Sequence, residues 1–566
     1  MTVLAQGAAE AVRATHAADP AGSVQSAESV VQTAGPVMQS ADSVVQSVDW
    51  LAISPPTIAA VAGLAVLVAD LFLPERGKRM LGPAAAVSLV LAALPLLFLR
   101  TRDLETFCLP GGSQACSYSA DTLALVLQFL VLGAAFVTVL LSMPAVHGRG
   151  GPTHAEGPGG LPAGEYWFLL LSATAGAALI PASRDLVTLV IALETASLPA
   201  FALVGLRRGS RGSAEAALKF FLSSVTATAV TLLGASFLYA VTGTLYFQGI
   251  SEGLTRADPQ LEALGSAGVA LTLVGFAFKA SVVPFHFWVP DTYVGAPVPV
   301  AAFLSVVGKT AGISGLILLV VQAFSSRAEL WGPALAVLAA FTMTAGNVAA
   351  LRQRADQAHG AVRLLAWSSV GQAGYLLVPL AAAAPDAGGA EPSGPALSTV
   401  GATVAYLLMY AAVNLGAFAV VAHISRTSSA NRLRDYRGLF AAHPLAALAL
   451  AFFLLCLAGL PPGVVGLFAK VAVFSTAVGN GLGWLAVIMA VNVVIALFYY
   501  LRWTALVFRA GAPAAAGAEP QPGGGGARRP RMAAPLAAGI ALTATVGIAL
   551  SLYPDLVLTF TAGGLR

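Results

Sequence analysis

The chain has 566 residues, 57% of them hydrophobic and only 10% charged, with a mean hydropathy of +0.81; soluble domains carry about 25% charged residues. This composition excludes a soluble enzyme and places the chain in a lipid bilayer. The net charge of +4 is no nucleic-acid signature, because Lys and Arg are distributed among the loops as topology signals.

Taken in chain order, residues 1–50 stand outside the membrane body. They lack the basic start and continuous apolar core of a signal peptide, so no cleavage is expected. From Val24 to Trp50 they repeat every seven residues (VQSAESV, VQTAGPV, MQSADSV, VQSVDW). An amphipathic surface helix would follow from that period, but Gly35-Pro36 interrupts it, and a disordered or weakly helical extension is the other reading.

Fourteen apolar windows of bilayer-spanning length follow, near 54–73, 80–99, 121–143, 165–182, 184–206, 215–241, 265–288, 299–323, 331–350, 362–384, 398–424, 445–479, 483–507 and 533–555. They are uniformly apolar, whereas barrel strands alternate. The fold class is therefore an all-α polytopic membrane protein of about 14 transmembrane helices. Its parts are an extracytoplasmic extension (1–50), a transmembrane core (51–509), a cytoplasmic Pro/Gly-rich linker (510–532), and a last helix with its tail (533–566). A polar stretch at 385–395 reads as an outside loop.

Two segments are interrupted. The twelfth contains Pro461-Pro462-Gly463, which removes backbone donors and breaks the helix, and the seventh carries Pro284 and Pro290. Broken helices separated by four intervening spans predict two related halves, segments 4–8 and 9–13, with both breaks facing the protein interior. With the N-terminus outside, the inside loops and their helix ends hold 19 basic residues and the outside ones 7, which places both termini outside the cytoplasm. Cys108 and Cys116 lie in an outside loop, either as a disulfide or as two free thiols; Cys456 reads as a small packing residue.

Few charges lie within the predicted spans. Glu194 is in the middle of segment 5, Lys219 early in segment 6, Lys279 and Lys309 in segments 7 and 8, and Lys470 just past the break in segment 12. A charge at the bilayer centre costs about 2.5–3.5 kcal/mol even on insertion scales, so such residues are functional candidates. Lys219 has a second reading, a snorkelling anchor paired with Glu215 one turn earlier. Lysine suits proton transfer because burial disfavours the charged amine, whereas arginine stays charged. A Glu194–Lys279 pair that opens and closes would be an electrostatic switch, and Lys309 and Lys470 would extend it into a lateral relay. Phosphate loops, paired CxxC motifs and metal-spaced histidines are missing from the sequence, so no metal and no redox cofactor are expected in this chain. His286 and His423 read either as interfacial polar residues or as groups that admit protons.

The stretches FKASVVPFHFWVPDTYVGAPVPV (278–300), FLSVVGKTAGI (303–313), RLLAWSSVGQAGYLLV (363–378) and LAGLPPGVVGLFAKVAVF (457–474), with the Glu194 helix, resemble subunit N of the proton-translocating NADH-quinone oxidoreductases. The similarity runs over about residues 54–508. It implies the fourteen-helix antiporter-like fold with two inverted five-helix repeats. It also implies Glu194 and Lys279 as the carboxylate–lysine pair, Lys309 as the connecting lysine and Lys470 as the terminal one. Partners implied are the other membrane-arm subunits, antiporter-like and small, and indirectly the peripheral redox arm. NADH, FMN, iron-sulfur clusters and quinone belong to the complex rather than to this subunit. The cell membrane of a bacterium is the implied location. Gln372 departs from the pattern, since several antiporter-like relatives carry a histidine there. A subunit of a multisubunit cation/proton antiporter is the alternative.

Overall fold

The computed structural model describes residues 48–109, 115–147, 161–207, 209–384, 396–428, 430–510 and 532–559. The predicted extension, the 385–395 loop and the Pro/Gly-rich linker lie almost wholly outside the described residues. Asp49–Thr106 with Cys116–Arg566 form one compact unit, which contains every residue of the site below.

The helices are α1 (Ser54–Phe72), α2 (Leu81–Leu99), α3 (Thr122–His147), α4 (Ala163–Leu179), α5 (Leu186–Gly205), α6 (Arg211–Thr242), the short α7 (Phe247–Thr255), α8 (Glu262–Lys279), α9 (Trp288–Gly295), α10 (Val298–Ala323), α11 (Ala328–Leu351), α12 (Gly360–Ala382), α13 (Ala396–Ser425), α14 (Pro444–Ala458), α15 (Val464–Gly479), α16 (Gly483–Phe508) and α17 (Ala534–Leu552). Thirteen of the described helices are long and apolar enough to cross a membrane, and the shorter apolar pair α14 and α15 together make the remaining span. All fourteen predicted segments therefore correspond to helix. Two short strands, β1 (Leu104–Cys108) and β2 (Cys116–Ala120), pair in one small sheet. Cys108 and Cys116 are both disulfide-bonded. Cys456 is free and buried.

Burial does not follow hydropathy here. In their most apolar stretches α10, α12 and α13 have 94%, 94% and 89% of their residues buried, although α12 is among the least apolar of the spans. The more apolar α16 is only 39% buried. Lipid tails are as apolar as a leucine core, so helices associate through close packing and interhelical hydrogen bonds rather than through a hydrophobic gradient. Polar residues accordingly collect in the protein interior, and α10, α12 and α13 carry Lys309 and most of the uncharged polar residues of the site, while α5, α6, α8 and α15 bring Glu194, Thr228, Lys279 and Lys470.

Both predicted breaks are present, with one correction. Helix α8 ends at Lys279, and the chain bends through residues 280–287 before α9 begins at Trp288. Pro284 lies in the bend, but Pro290 lies in the first turn of α9. There it interrupts nothing, because a first-turn residue has no intrahelical acceptor for the N–H that proline lacks.

Close approach at the first break depends on Gly312. A Cβ there would sit 2.4 Å from the Ala280 amide nitrogen, and backbone cannot yield as a flexible side chain does. Gly308, one turn earlier, has room, its nearest neighbour being 4.0 Å away. Gly312→Ala should destabilise the protein by about 1–3 kcal/mol, the usual cost of overpacking, whereas Gly308→Ala should change stability by less than about 1 kcal/mol. Midpoints of denaturant unfolding in mild detergent would separate the two.

Candidate proton-transfer site

Every helix end leaves carbonyls without intrahelical partners, and inside a membrane they must be satisfied by protein. At the end of α8 the chain closes with Ser281 in a left-handed conformation (φ 68°); the Ser281 and Val282 amides donate to Phe278 and Ala277. The Trp288 indole N–H also donates to the Phe278 carbonyl at 3.1 Å, and the Val283 amide donates to Thr342 Oγ1 on α11 at 3.0 Å. The Ala280 carbonyl accepts from Lys309 Nζ at 3.3 Å. The first break is thus closed by a lysine from α10.

Lys279 is 3% exposed and Lys309 1%. The Lys279 ammonium donates to Ser197 Oγ at 2.7 Å and lies 5.4 Å from the Phe220 ring centroid, a distance at which the ring face attracts a cation. Glu194 is half-buried and accepts from Thr228 Oγ1 at 2.6 Å. It precedes Ser197, the acceptor of Lys279, by about one turn of α5, yet the Glu194 and Lys279 side chains make no direct ion pair in this structure. The predicted partners are brought to one place and held apart there.

The second break repeats the device with the lysine on the other side. Helix α14 ends at Gly459, whose φ of 86° is accessible to glycine and costly to residues with a side chain. Lys470 Nζ, from α15, donates to the carbonyls of Leu457 at 2.9 Å and Ala458 at 2.7 Å. A Cβ at position 459 would lie 3.4 Å from that Nζ, so glycine also clears room for the ammonium. Lys470 is 6% exposed and lies 5.8 Å from the Tyr375 ring centroid. Lys279 precedes its break and Lys470 follows its own.

Lys219 stays apart from this buried set. Its ammonium pairs with Glu215 at 2.8 Å, as the spacing predicts, and with Asp291 of α9 at 3.0 Å, and its side chain is half exposed. Asp291 also lies 3.9 Å from Arg363 of α12. His286 packs against Trp367, and His423 meets His443 edge to face.

A set of uncharged residues between Lys309 and Lys470 was missed by reasoning on charges. Leu304–Gly308 is a π-helical turn, which relaxes the usual hydrogen-bond register. Ser305 Oγ accepts from Asn414 Nδ2 at 2.7 Å, and the Tyr410 hydroxyl lies 3.3 Å from the Ser305 carbonyl and 3.0 Å from Ser369 Oγ. Gln372 accepts from the Tyr406 hydroxyl and donates to Tyr500 at 3.4 Å; Tyr500 also bonds Ser368. Tyr375, under the Lys470 ammonium, stacks on Tyr406. The signal was present in RLLAWSSVGQAGYLLV. Ser368, Gln372 and Tyr375 recur at spacings of four and three, which puts them on one helix face.

Residues 183–496 match the family described as NADH:quinone oxidoreductase/Mrp antiporter, TM. NADH-quinone oxidoreductase subunit N 2 of Streptomyces griseus subsp. griseus is 63% identical over 516 residues, covering 91% of this chain and 93% of that protein. The chain belongs to the NADH-quinone oxidoreductase subunit N family. Among solved structures, a chain of respiratory complex I from Thermus thermophilus with bound aureothin superposes with a TM-score of 0.68 at 31% identity, over 89% of this chain and 98% of that one. A chain of the Mrp complex from Dietzia sp. DQ12-45-1b gives a TM-score of 0.75 at 21% identity, over 91% and 96%; that likeness is one of fold. Subunit N thus has the antiporter-like membrane fold, and the motifs quoted from its seventh, eighth, tenth and twelfth spans are those that surround its buried lysines.

Proposed function

We propose that this subunit N moves protons across the membrane while partner subunits of an NADH-quinone oxidoreductase oxidise NADH and reduce quinone. The reading is carried by one observation. Lys279, Lys309 and Lys470 are buried in a helical membrane protein, and their ammonium groups hydrogen-bond to a serine hydroxyl or to carbonyls at the two helix breaks. Buried ammonium groups are expensive in a bilayer, and anchoring alone would be served by lysines near the interface.

In the proposed relay Glu194 and Lys279 form the switch. Lys309 connects it across the first break, and Lys470 terminates it beside the second. The hydroxyls of Tyr410, Ser369 and Tyr406 lie between those two lysines and would carry protons with water. Lys219, half exposed and doubly paired with carboxylates, is a peripheral member of the relay. The redox groups, FMN and iron-sulfur clusters, are assigned to the partner subunits. Both termini are assigned to the outer side of a bacterial cell membrane.

Purification in mild detergent tests the assignment against the cation/proton antiporter alternative. Co-isolation with flavin- and iron-sulfur-bearing subunits is expected. Isolation with antiporter subunits alone would overturn it.

A further inference from the structure

At the first break the carboxylate and the ammonium each have a neutral partner of their own. Thr228 has a single hydroxyl hydrogen and places it on Glu194 at 2.6 Å. Ser197 donates its own hydrogen to the Leu193 carbonyl at 2.6 Å, which leaves its oxygen to accept from Lys279 at 2.7 Å. Ser197 is 1% exposed and follows Glu194 by three residues on α5, so both lie on one helix face about a turn apart. The ammonium therefore has two acceptors on that face, and it occupies the neutral one.

We infer that Ser197 and Thr228 are positioning residues that hold the separated state of the Glu194–Lys279 switch, each by fixing the position of one of the two charges. The inference rests on the relay proposed above. Closing the pair moves each charge away from the place where its hydroxyl holds it; the ammonium has two further N–H donors and the carboxylate a second oxygen, so the hydroxyls act by fixing position and not by filling the bonding capacity of either group. A hydrogen bond to a charged group biases such an equilibrium about ten- to a hundredfold. Removing either hydroxyl should shift the switch towards the paired state and slow its opening.

The test uses the intact complex in inverted membrane vesicles, with NADH-driven proton uptake followed by a pH-sensitive dye and normalised to bound flavin. Thr228→Val and Ser197→Ala should each lower the initial rate about tenfold at unchanged flavin content. Thr228→Ser, which keeps the hydroxyl, should stay within about twofold of the unsubstituted protein. Equal losses in Thr228→Val and Thr228→Ser would overturn the inference, because they would assign Thr228 to packing. Full rates in Thr228→Val and Ser197→Ala beside a Lys279→Ala variant that cannot pump would also overturn it while leaving the relay intact. A Lys279→Ala variant that pumps normally would overturn the relay itself.

Discussion

Lys279→Ala should leave the complex assembled and lower NADH-driven proton uptake in vesicles at least a hundredfold. Assembly should survive because the ammonium makes one side-chain hydrogen bond, to Ser197, and no backbone group at the α8 break depends on it. The carbonyls of Phe278 and Ala280 are served by Trp288 and Lys309 instead. Transport should fail because Lys279 is the amine of the proposed Glu194 switch. Native electrophoresis and flavin content would report assembly, and dye quenching the transport. Uptake close to that of the unsubstituted complex would reduce Lys279 to a tolerated buried charge.

Lys470→Met should behave differently, losing stability as well as transport. Its ammonium is the donor to both carbonyls that end α14, Leu457 and Ala458. Removing it leaves two acceptors unsatisfied in a buried site at a cost of about 1–3 kcal/mol each, with methionine restoring only the packing. The unfolding midpoint should fall by several degrees, and amide exchange should accelerate around residues 457–463, where the helix already ends. Unchanged exchange there would mean that water or a neighbouring group serves those carbonyls. The contrast between the two lysines follows from which side of its break each one occupies.

The spans were legible because a bilayer demands about 20 apolar residues per crossing, and the chain has few other apolar runs. The second break was equally legible, since Pro461-Pro462-Gly463 cannot continue a helix. At the first break the ending at Lys279 could be read from Pro284, but Pro290 misled. A proline in a helix's first turn and one in its interior look alike until the boundary is known. For the site, charge inside apolar sequence was enough to single out Glu194, Lys279, Lys309 and Lys470. It was not enough to say what each one touches. Thr228 is 34 residues from Glu194, and Ser197 is 82 from Lys279, so these contacts are set by helix packing that periodicity does not encode. Gln372 stood out in the sequence only as a departure from relatives that carry histidine. Its surroundings give the residue a physical role, since an amide both accepts from Tyr406 and donates to Tyr500, as a neutral imidazole would.

In the proposed relay the Lys279 amine gains and loses a proton, beyond supplying a positive charge. Lys279→Arg separates the two, because arginine keeps the cation and the hydrogen-bond donors but does not deprotonate in proteins. The measurement is NADH-driven proton uptake by vesicles carrying Lys279→Arg at native flavin content. Uptake reduced to the level of Lys279→Ala is the predicted result, and uptake near that of the unsubstituted complex would contradict it.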